Sequence, residues 1–164
     1  IFVKGGKAMA QSNLYLESNV SSVDGLAHCL HRASQHMDDL FAAATAGQDL
    51  TARQLVVLEI VAREDRPSQT TICARSGIDR STIADMVRRL VKKGYLARRR
   101  SRADARRYAV QLTDEGRKVL ERALPIAHDV ERQIASRLPE KQRQHFISAL
   151  RSILDKPEKG ADFA

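Results

Sequence analysis

Residues 72–116 read "ICARSGIDRSTIADMVRRLVKKGYLARRRSRADARRYAVQLTDEG". Gly77-Ile78-Asp79 divides two short helical patterns, roughly Gln69–Ser76 and Arg80–Lys93. Gly77 suits a left-handed helix end, and Asp79 suits the N-cap of the helix that follows. On that second helix Ile83, Val87, Leu90 and Val91 form one stripe, and Ser81, Asp85, Arg88 and Lys92 form the opposite one. The pattern is a helix-turn-helix whose second helix is polar and basic on its free face. Gly94 closes it. Tyr95-Leu96-Ala97 and Tyr108–Leu112 then read as the strands of a hairpin, with the basic run Arg98–Arg107 at their junction. Crowding like charges is costly unless a polyanion neutralises them.

The position of the charge sharpens that expectation. The 164-residue chain has a net charge of +8 from 28 lysines and arginines and 20 acidic residues. Residues 88–107 alone hold ten basic residues against Asp104, so this window carries +9 and the remainder −1. Such concentration is the footprint of a phosphate-binding surface. Aromatic residues are only 4%, with no Trp, which argues against a base-stacking platform for single strands. No apolar run approaches the ~18–20 residues of a membrane span, so no membrane partner is expected. Cys29 and Cys73 lack CxxC spacing, which points to a reducing cytoplasm rather than a disulfide framework or zinc ribbon. No glycine-rich phosphate loop or nucleophile motif occurs, so neither enzyme chemistry nor a cofactor is expected.

Outward from the helix-turn-helix, Thr51-x-x-Gln54 fits a capping box for a helix buried through Leu55, Leu58 and Val61 or Ala62. Upstream, Leu26, Leu30, Ala33, Met37, Leu40, Phe41 and Ala44 give an amphipathic helix over about 22–46. Downstream, Thr113 caps a helix with a long stripe from Val119 to Ile134, in which Pro125 predicts a kink or break. Pro139 sits in the first turn of a last helix, with Phe146, Leu150, Ile153 and Leu154 expected to face inward. Residues 1–20 are set aside as a tail: Ser12–Asn19, "SNLYLESN", looks like an altered protease-site linker. No sustained apolar region follows Lys4 and Lys7, so no secretory leader is expected there.

Three segments together, Leu50–Ala62, Ile72–Arg99 and Asp104–Leu120, resemble the MarR family of bacterial transcriptional regulators. The resemblance runs in order from about Leu26 to Leu154. Its sharpest element is Asp104-x-Arg106 followed by Leu112-Thr113-x-x-Gly116. It implies a mainly α fold with a small two-stranded β wing: a winged helix-turn-helix over 49–113, plus a helical dimerisation region over 21–48 and 114–157. Residues 158–164 would be a C-terminal tail. It further implies a homodimer on a palindromic double-stranded operator, near the nucleoid. A small-molecule effector, often aromatic or phenolic, would bind between the two regions and release a repressor from DNA.

Site residues follow from both readings. Arg80, Ser81 and Thr82 occupy the first turn of the recognition helix, where side chains reach base edges or phosphates. Arg80 suits a guanine; Asp85 suits either a cytosine amine or, more simply, an ion pair with Arg88 or Arg89. Arg88, Arg89 and Lys92 are expected on phosphates. Arg98, Arg99, Arg100 and Arg102 supply the approach of the wing. Arg106 matches the family's wing-tip arginine, which enters the minor groove, and Asp104 orients it. His31, Arg32 and His36 are candidates for a ligand pocket that holds a carboxylate, with solvated or dimer-interface roles equally open. Cys29 lies in the first helix, where some relatives of this family sense peroxide, but it is out of step with their cysteine. His28 and His31 are spaced for a shared metal without further matching ligands, and no metal is expected. A winged helix used for protein contacts or nucleic-acid packaging is the remaining alternative.

Overall fold

The computed structural model describes residues 25–64, 66–100 and 108–155. Their elements, in order, are α1 (Leu26–Ala44), α2 (Ala52–Arg63), α3 (Gln69–Ser76), α4 (Arg80–Lys92), β1 (Leu96–Arg100), β2 (Tyr108–Leu112), α5 (Asp114–Ala135) and α6 (Glu140–Leu154). Local chemistry sets most of the boundaries. Thr51 and Gln54 exchange both bonds of the capping box at the start of α2. The Ser68 hydroxyl accepts from the Thr71 amide (3.1 Å) to open α3, and Gly77 closes it in the left-handed region at φ 69°.

The core lies between α2, α3, α4, the hairpin and the first half of α5. Leu58, Ile72, Ile83, Leu90, Leu96 and Val110 are all fully buried there, each worth about 1.5–3 kcal/mol relative to exposure. The hairpin is antiparallel, pairing Leu96 with Leu112 and Arg98 with Val110. A short third segment pins it: Ser68 bridges Ala109, and the Val110 amide donates to the Pro67 carbonyl (3.0 Å). The hairpin is thereby tied to the first turn of α3. Among the described residues no helix is long and apolar enough to cross a membrane.

Three expectations need correction. Of the kink or break expected at Pro125, the break does not occur: helix α5 runs unbroken through it. Glu121 and Pro125 both lie on its exposed side, so water can serve the Glu121 carbonyl that the proline deprives of a donor. Pro139 is the residue before α6, in extended conformation, rather than within its first turn. The apolar residues of α6 do not face a core: no residue of that helix is buried, and Phe146, Ile153 and Leu154 are 44%, 55% and 79% exposed. Of the α1 stripe, only Phe41 is buried. The periodicity located these faces, but nothing among the described residues covers them.

Candidate nucleic-acid interface

Asp79 sets the start of α4. Its carboxylate accepts from the Ser81 hydroxyl (2.5 Å) and the Thr82 amide (2.9 Å). Those bonds, Ser81 foremost, hold the carboxyl well below the usual carboxylate range. Ser81 is thus engaged in the cap. Arg80 and Ser81 are exposed and Thr82 is half-buried. One turn on, Ile83, Met86, Val87 and Leu90 are buried, which turns Arg88, Arg89 and Lys92 outward.

Asp85 takes the simpler of its two roles. It pairs with Arg88 and, at 2.7 Å, with the Arg89 Nε. Both guanidinium side chains remain 66–74% exposed, and exposed pairs of this kind are worth only ~0–1 kcal/mol. A phosphate can therefore displace Asp85 at little cost, and meanwhile the pairs hold both arginines along the free face. The role of Lys93 carries no local signal along the chain. It is a structural cation: its Nζ pairs with Asp49 (2.8 Å) and donates to the Asp49 carbonyl (2.5 Å). Its contact to the Gln54 side chain (3.4 Å) completes a strap from the end of α4 to the capping box of α2.

The Thr113-x-x-Gly116 motif fixes the base of the wing. The Thr113 hydroxyl donates to the Gly94 carbonyl (2.6 Å) and accepts from the Gly116 amide (3.0 Å). Its backbone amide donates to the Tyr95 carbonyl (3.1 Å). Gly116 is needed for this approach, because a Cβ there would lie 2.0 Å from the Tyr95 carbonyl oxygen. One clamp thus joins the end of α4, the start of β1 and the first turn of α5. Arg98 and Arg99 leave β1 exposed. The Arg100 backbone lies in β1, whereas Arg102, Asp104 and Arg106 lie outside the described residues.

A separate cleft of about 200 Å³ opens between α1, α2 and α5, lined by Met37, Asp38, Phe41, Leu55, Val56, Glu59 and Val130 among others. None of the three pocket candidates lines it. His31 and Arg32 are exposed on α1, and the buried Nε2 of His36 has no hydrogen-bond partner among the described residues. Cys29 is exposed and Cys73 packs partly against the core. Among the described residues no group of acidic, histidine or cysteine side chains is arranged to hold a metal.

A basic-faced second helix, clamped beside an arginine-bearing hairpin, defines the winged helix-turn-helix class of DNA-binding regulators. Residues 48–107 match the sequence model of the MarR family. The transcriptional regulator HosA of Escherichia coli O157:H7 is 30% identical over 107 residues, 65% of this chain and 79% of that protein. The chain belongs to the MarR family, whose members regulate transcription through DNA. Among solved structures, Bordetella bronchiseptica BpsR, whose DNA binding is regulated by 6-hydroxynicotinic acid, superimposes with a TM-score of 0.78. It is 27% identical, over 85% of this chain and 99% of that one. Streptomyces coelicolor PcaV, in complex with its natural ligand, gives 0.76 at 29% identity, covering 87% and 100%.

Proposed function

We propose that the protein is a homodimeric repressor that binds a palindromic operator and is released by a small molecule. In this reading α4 enters the major groove, with Arg80, Ser81 and Thr82 toward the bases and Arg88, Arg89 and Lys92 toward phosphates. Arg98–Arg100, Arg102 and Arg106, oriented by Asp104, carry the wing along the neighbouring minor groove. The second copy covers α1 and α6, and the effector occupies the cleft beneath α1.

The observation that carries this reading is the opposition of two surfaces. The free face of α4 is basic, and α6, in the dimerisation region, has no buried residue at all. A two-fold pair would cover the apolar helices and present two basic helices to one duplex. The regulation of BpsR by a small acid supports the ligand-controlled part. A footprint on the DNA upstream of the protein's own gene tests it. Bounded, symmetric protection is expected; unbounded coverage would mean nucleic-acid packaging. Control by ligand rather than by Cys29 also predicts that Cys29→Ser keeps normal operator affinity and release. A mutant that resists peroxide-induced release seen in the wild type would instead establish redox sensing.

A further inference from the structure

The cleft between α1, α2 and α5 has an apolar floor and an acidic wall. Phe41, Leu55 and Val130 form the floor and are buried. The charged side chains that line it are Asp38, Glu59 and Glu131, with no lysine, arginine or histidine among the lining residues. Arg63 pairs with Glu59 from outside the lining. Among the described residues Asp38 and Glu131 have no ion-pair partner. At the adjoining recess between α1 and α2, Asp39 stands beside Asp38, and Arg53 is the one cation.

A free volume of about 200 Å³ suits a single-ring molecule, since an engineered cavity of ~150 Å³ accommodates benzene. A carboxylate seated there would surrender water beside charges of its own sign, and no lining cation would offset that loss. An amine or ammonium keeps the gain of burying its ring and adds attraction to Asp38 and Glu131. We propose that the effector is a single-ring organic cation, with Asp38 and Glu131 selecting its charge. This rests on the reading that the cleft is the effector site, and it fixes the chemical class of what binds there. It departs from the sequence expectation of a carboxylate held by His31, Arg32 and His36, none of which lines the cleft.

Calorimetric titration of the full chain with benzyltrimethylammonium and with benzoate tests the proposal. The cation is expected to bind more tightly by about tenfold, a difference well within calorimetric range. Asp38→Asn and Glu131→Gln should each weaken it on the order of threefold, as for partly exposed ion pairs, and should not weaken benzoate. Tighter binding of benzoate, a cation affinity unmoved by both substitutions, or no binding of either probe would overturn the assignment. The same titrations beside a duplex carrying the footprinted site separate the two readings. A cation that binds with the expected dependence, yet leaves the DNA complex intact, supports the charge class and removes ligand release from the proposed function.

Discussion

In the proposed complex, Arg89 and Arg106 carry the same charge toward different parts of a duplex, so their loss should read differently. Arg106→Ala is expected to cost about 1–3 kcal/mol of binding, most on operators with A·T-rich flanks, where a narrow groove rewards the arginine. Arg89→Ala should weaken all duplexes alike and flatten the salt dependence by roughly one unit of slope. Affinity against salt, for both variants on A·T- and G·C-flanked sites, decides it. Identical, sequence-independent losses would mean that the wing supplies charge alone. Gly116 makes a different claim. With its absent Cβ position 2.0 Å from the Tyr95 carbonyl oxygen, Gly116→Ala should lower unfolding stability by about 1–3 kcal/mol, the usual cost of overpacking. An unchanged thermal midpoint would contradict the clamp. The caps at Thr51, Asp79 and Thr113 were legible in the sequence because each partner lies three residues away. Lys93 was not, because its charge blends into a basic run and its partner Asp49 is 44 residues distant.

Helices and strands were legible for a related reason: capping, glycine ends and apolar periodicity are local signals, and α3, α4 and β2 follow them closely. Strand β1 instead runs on through Arg98–Arg100, which the pattern places at the junction. What a stripe faces is not local. The stripe of α6 is correctly placed along the chain, yet Phe146 and Ile153 are 44% and 55% exposed. The pattern specifies an apolar face without saying whether the same chain covers it. The break expected at Pro125 does not occur, since Glu121 lies on the solvent side of α5. If the partner copy covers α6, Phe146→Asp should convert a dimer to monomers while leaving the helical content intact. Light scattering and circular dichroism together check this. A variant that stays dimeric would place the interface elsewhere, and the expected loss of operator affinity would not follow.

For the molecule as a whole, the clamp at Thr113 and Gly116 links α5, proposed to lead into a dimerisation region, with α4, proposed to read DNA. In the proposed dimer, a change in how α5 sits against α1 would therefore be passed to the spacing of the two α4 helices, which would connect an occupied cleft to a released operator. That spacing must match one turn of the duplex, ~34–36 Å between half-sites. The central claim is that two chains act as one symmetric reader. Sedimentation of the protein at micromolar concentration with a duplex carrying the footprinted palindrome measures it most directly. Two chains per duplex are expected, with affinity collapsing when the half-sites are moved apart by half a helical turn. A single chain that binds one half-site at full affinity would contradict it.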